Sequence, residues 1–179
     1  EFKNLGVSIG QAAGWTINEE MSPMPNVAMI TFTKPEFQSR QAEQQMPGTT
    51  PVVILSVEDI TSEALDLSEF KEKSKNVALT QMKSLTGGMY QPIVTFDDLM
   101  PVGQFDHYLE YESKTPYFTM QVMNLLQVKN GVAFVFQLMA NPEVMAEYKP
   151  QVTQIAKSIE LYVEAAVVDF ENISCVSVT

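Results

Sequence analysis

A chain of 179 residues with 45% hydrophobic and 18% charged residues is long enough to bury one core and too apolar for wholesale disorder. Twenty-two acidic residues against 11 basic ones give a formal charge of −11. That charge argues against a nucleic-acid or anionic-lipid partner, because both depend on Lys and Arg, whereas a basic protein patch or a metal cation stays compatible. Cys175 is the only cysteine, which rules out an intrachain disulfide and CxxC redox chemistry.

Leu5, Val7 and Ile9 alternate as a short strand, stopped by Ala12-Ala13-Gly14. Trp15 and Ile17 follow, and the lone Trp beside a glycine is expected to anchor the core. Asn26 to Thr33 reads as a second strand. Residues 35 to 51, bounded by Pro35 and Pro51, form a polar, glutamine-rich connection of a length that points to function or mobility. Pro51 to Glu58 is expected to be a strand covered on both faces.

A helix follows with readable ends. Asp66 and Glu69 have capping-box spacing, Leu67, Phe70, Val77, Ala78, Met82 and Leu85 line one side, and Gly87-Gly88 supplies the stop. Lys71, Lys73, Lys75 and Lys83 are expected on its outward side as a basic stripe. Phe105 to Glu112 then alternates, with Phe105, His107, Leu109 and Tyr111 facing inward and Asp106, Tyr108, Glu110 and Glu112 outward. Tyr117 to Val128 and Val132 to Ala140 are joined by Lys129-Asn130-Gly131, a strong hairpin signal.

In Val132 to Ala140 apolar residues fall at odd and even positions alike, as in an interior strand. Asn141-Pro142 supplies a cap and a first helical residue, and Pro150 is expected to restart the helix. Val152, Ile155, Ala156 and Ile159 recur at the spacing of one helix face, with Tyr148 extending the stripe. Val163 to Thr179 reads as a further strand or a docked tail. The expected fold class is α+β: a sandwich with a mainly antiparallel sheet. One domain is expected over residues 1–162, with 163–179 as its tail.

The layout resembles the PsbP-like superfamily, which groups the photosystem II extrinsic subunit P, Mog-type Ran-binding proteins and bacterial relatives. The resemblance rests on Gly14-Trp15 after a strand, the segment VVILSVEDITSEALDLSEFKEKSK, the Asn-Gly hairpin, and a closing block with Tyr148, Pro150, Ile155, Ser158 and Ile159. It spans roughly residues 2 to 162 and carries shared layout, with no signature motif. It implies an α/β/α sandwich that binds protein partners without catalysis: an import factor binding a basic GTPase, a photosystem-associated luminal subunit, or a chaperone of secreted effectors. Glu1 is not an initiator methionine, and a removed signal or transit segment fits this start as well as simple trimming does. The compartment therefore stays open between cytoplasm or nucleus and thylakoid lumen or periplasm, for a water-soluble domain without an apolar run of the roughly 20 residues that span a bilayer.

No catalytic constellation is legible. His107 is the only histidine, and its register favours a core histidine over a base. No glycine-rich segment has phosphate-binding spacing, so neither cofactor nor resident metal is expected. Asp97, Asp98, Asp106, Glu110 and Glu112 lack the spacing of a calcium loop. A calcium-binding or hydrolytic role for that cluster is the rival from another class. The leading expectation is a non-enzymatic accessory domain that binds a protein with a basic patch. Its contact surface is either the acidic strand face, Asp106, Glu110 and Glu112, or the polar connection, with Glu36, Gln38 and Gln44. Met21, Met24, Met46 and Met100 fall outside the periodic stripes and would suit an adaptable apolar groove.

Overall fold

The computed structural model describes residues 1–42, 46–85, 87 and 93–162. Its centre is a seven-stranded sheet in which every neighbouring pair runs antiparallel. In chain order the strands and helices are β1 (Val7–Ile9), β2 (Thr16–Met21), β3 (Val27–Thr33), α1 (Pro35–Ala42), β4 (Val52–Asp59), α2 (Leu67–Leu85), β5 (Ile93–Leu99), β6 (His107–Lys114), β7 (Thr119–Lys129), β8 (Val132–Ala140), α3 (Pro142–Lys157) and β9 (Ile159–Leu161). The large sheet has the order β2-β3-β4-β8-β7-β6-β5, while β1 pairs with β9 in a separate two-stranded ribbon. This is the expected α+β sandwich.

The strand β8 lies between β4 and β7, as its continuous apolar run requires, and Phe134, Phe136 and Leu138 are fully buried. Asn130 and Gly131 both have positive φ, so the two-residue turn joining β7 to β8 has the hairpin twist that Asn-Gly favours. The capping box of α2 is reciprocal: the Glu69 N–H donates to Asp66 Oδ1, and the Asp66 N–H donates to Glu69 Oε2.

The helix α3 packs Val144, Met145, Tyr148, Val152, Ile155 and Ala156 onto one face of the sheet, against Phe32, Leu55, Phe134 and Phe136. Asn141 caps it by accepting the Val144 N–H. Two expectations are corrected here. The helix is continuous through Pro150, because that residue and Ala146, whose carbonyl loses its N–H donor, are both exposed to water. Ile159 is buried as expected but belongs to β9, since α3 ends at Lys157.

The opposite face is covered by α2, through two separate apolar clusters. Phe70 packs with Ile60, Leu126 and Ala133 near the helix start. Ala78 and Met82 pack with Leu109, Tyr111, Met120 and Val122 farther along. Val77, expected in that stripe, is 46% exposed because it points along the flank of the helix. The lysine stripe is not a free outward face either. Lys71 pairs with Asp98 and Lys73 with Glu58 and Glu63, so these two cations staple the helix to its surroundings, while Lys75 pairs with Glu72 within the helix. The strand β4 is fully buried on the α3 side only; Val52, Ile54, Ser56 and Glu58 on its other side are half-buried. Residues 163–179, expected as a strand or tail, lie outside the described residues.

Candidate functional site

The acidic residues of the Asp106 to Glu112 segment are brought to one face and are already engaged there. Asp106 accepts a hydrogen bond from Gln127 at 2.8 Å. Glu110 accepts from the Tyr108 hydroxyl at 2.7 Å and pairs with Lys149 of α3 at 2.6 Å. Glu112 pairs with Lys114 at 2.8 Å and accepts from Gln121 at 2.9 Å, contacts that hold its carboxyl below the usual range. Burial, followed by the neighbouring Glu110, pushes the Tyr108 hydroxyl far above its ordinary value, so it acts as a fixed donor. Asp97 stands directly across from Glu110 on β5, with no cation between them in the strand register. Among the described residues, no three His, Cys, Asp or Glu side chains converge in a geometry that would hold a metal ion.

Phe105 and His107 do not share a face, in contrast to the alternation read from sequence. Phe105 lies before β6 and stacks on Phe136 in the α3-side core. His107 opens the strand and is half-buried at the sheet's rim, where it adds to the lowering of the Asp98 carboxyl by Lys71.

The polar connection contains a helix, which corrects its reading as an irregular segment. Pro35 begins α1, and among its described side chains Phe37 alone is buried. The Phe37 ring meets Trp15 edge-on at 5.6 Å and Tyr148 edge-on at 5.3 Å. Lys34 sits 5.1 Å from the Trp15 ring centre, and Arg40 sits 5.4 Å from that of Tyr148 while gripping both oxygens of Glu147. Trp15 is thus half-buried against the core, part anchor and part cation platform. Glu36 is exposed, held below the usual carboxylate range first by its own backbone N–H and then by Lys34. Burial raises the Tyr148 hydroxyl to about 12. Gln38 is exposed on α1, and Gln44 lies outside the described residues.

Beside α1 the sheet is open. Because α2 sits over β6, β7, β8 and the Ser56 and Glu58 end of β4, the same face at β2, at Thr31 and Thr33 of β3 and at Val52 and Ile54 of β4 carries no described helix, and it forms a groove of about 670 Å³. Thr16, Asn18, Thr31, Thr33 and Ile54 form the floor, and Gln38 and Gln41 of α1 the wall. Thr50 Oγ1 is buried at its edge and has no hydrogen-bond partner among the described residues. The sequence reading located the polar connection as a contact candidate but missed this floor, because small hydroxyl residues on an alternating strand look the same whether a helix covers them or not.

No protein-family model and no curated protein matches the sequence. Solved structures do resemble the fold. Cyanobacterial PsbP (CyanoP) from Synechocystis sp. PCC 6803 superposes with a TM-score of 0.56 at 13% identity, covering 90% of this chain and 89% of that one. A protein of unknown function, PA94, from Pseudomonas aeruginosa superposes with a TM-score of 0.53 at 9% identity, covering 88% of this chain and 99% of that one. At such identities the likeness establishes a PsbP-type fold. No described helix is long and apolar enough to cross a membrane.

Proposed function

We propose that this chain is a non-enzymatic accessory domain of PsbP-like type, and that a protein partner docks on the open strand face beside α1. One observation carries the choice of surface. The carboxylates at Asp106, Glu110 and Glu112 are each spent on a side chain of this same molecule and lie beside α3, whereas the floor of the groove, although Thr31 donates to Glu20 at 2.9 Å, has no covering element among the described residues. Among the described residues, Glu20 and Lys34 are the only charged ones lining that groove, and their charges balance. The occupant is therefore an extended, uncharged segment of the partner, held by hydroxyl and amide contacts and by Val52 and Ile54. Gln38 and Gln41 would flank it, and Glu36 would lie at the outer rim. The PsbP-type fold supports the accessory role.

A photo-reactive residue placed at Gln38, with a second at Glu160 on the far ribbon as control, would capture the partner for identification. The purified pair is then titrated at low and high ionic strength with Gln38→Arg/Gln41→Arg and with Glu110→Lys. The expected result is about tenfold weaker binding for the glutamine pair, with little dependence on salt or on Glu110→Lys. Strong salt dependence together with loss of binding in Glu110→Lys would transfer the site to the acidic face.

A further inference from the structure

The two apolar clusters beneath α2 do not meet. Between them the sheet carries a polar row, and a cavity of about 160 Å³ remains there. On the same measure one water needs roughly 10–15 Å³, so the space holds far more than a single bridging water. Its polar floor is Tyr111, Asn124 and Gln137 on β6, β7 and β8, and its apolar wall is Phe70, Val77 and Val135. Asn124 is only 4% exposed and Tyr111 only 2%.

One hydrogen bond orders this floor: Gln137 Nε2 donates to Asn124 Oδ1 at 2.7 Å. That bond consumes a donor of Gln137 and the acceptor of Asn124. It leaves Gln137 Oε1 as an acceptor, with Asn124 Nδ2 and the Tyr111 hydroxyl as donors on the same floor. Burial keeps the Tyr111 hydroxyl protonated well beyond its ordinary range, so it stays a donor at any physiological pH. The charges that reach the cavity cancel. Lys73 is bound at 2.9 Å by Glu58, which also lines the space, and at 2.7 Å by Glu63.

We infer that the cavity under α2 is a binding site for a small, neutral, planar molecule that carries an amide-like edge. The carbonyl of that edge accepts from Tyr111, its N–H donates toward Gln137, and the flat apolar body lies against Phe70, Val77 and Val135. A carboxylate lacks the donor, an ammonium lacks the acceptor, and either would set an unbalanced charge beside the buried Asn124 and Tyr111. The site is separate from the groove beside α1, so its fate is independent of the partner assignment.

Benzamide is a suitable probe, with benzoate and toluene as comparators, followed by amide NMR shifts of the full chain. Saturable shifts confined to the residues around Phe70, Asn124 and Gln137 are expected with benzamide, with benzoate and toluene at least tenfold weaker. Tyr111→Phe removes a single oxygen and keeps the ring, and should weaken benzamide about tenfold in a folded protein. Ser74→Leu, which fills the mouth of the cavity from α2, should abolish the shifts. No saturable benzamide shift, equal binding of toluene, or unchanged binding in Tyr111→Phe would each overturn the assignment.

Discussion

The two faces of one sheet are built on different plans. On the α3 side, Phe32, Leu55, Leu125, Phe134 and Phe136 belong to a single apolar cluster that extends to Leu5 and Leu161. On the α2 side, two smaller clusters are split by a pair of amides, and β2 with the adjoining ends of β3 and β4 is left without a described helix. Stability is thereby concentrated on one face, which leaves the other free to carry space and hydrogen-bonding groups. A continuous apolar interface tolerates neither, because every void or unpaired polar group within it raises the free energy of the folded state.

This contrast can be broken most directly at Phe136. Phe136→Ala on the α3 side should cost about 3–5 kcal/mol of unfolding free energy in a denaturant titration, since it empties the middle of the continuous core. Ile155→Ala, on the helix that covers the same face, should cost about 2–5 kcal/mol. A loss under about 0.5 kcal/mol, the range of surface changes, would mean that α3 is not docked as described.

The α2 face should respond differently. Gln137→Leu alone strands the buried Asn124 oxygen and should cost about 1–3 kcal/mol. Replacing both residues with Leu removes the stranded group and should recover most of that loss. A double variant no better than the single one would show that Asn124 and Gln137 are not a coupled pair.

The smallest expected effect is the pH dependence of Asp98, whose carboxyl Lys71 holds below its ordinary value of 3.8. A depressed folded value means that the contribution is complete above the unfolded value and is lost as pH falls through the lower, folded one. The stability gap between the native chain and Asp98→Asn should therefore be constant near neutrality and close only in that acid window. A gap that widens on acidification would reverse the sign.

Much of the α3 face was legible in the sequence, since its signals are local. The run Val132 to Ala140, the Asn141-Pro142 cap and the Tyr148 to Ala156 stripe each depend on residues within a few turns or one strand. The misreadings share a different cause. The helix α1 was hidden because a single buried residue, Phe37, docks an otherwise polar segment. The edge strand β5 was missed because its outer residues, Ile93 at 70% exposure among them, have no covered face to impose a pattern. The fates of Glu110 and Lys73 were set by partners elsewhere in the chain, and no spacing rule reports those. Of the candidate contact residues, Gln38 lines the wall of the proposed groove, and no spacing rule marks the strand floor beside it.

The ribbon of β1 and β9 joins Val7 to Leu161 and Ile9 to Ile159, and the Tyr162 N–H donates to Gly6. The first strand of the domain thus has no pairing partner until the last one exists. During synthesis, Leu5 and Val7 would leave the ribosome early and wait, apolar and unpaired, while the sheet and α3 are made behind them. Closure of this ribbon completes the apolar cluster on the α3 side, so a chain halted before Ile159 would expose that seam to chaperones.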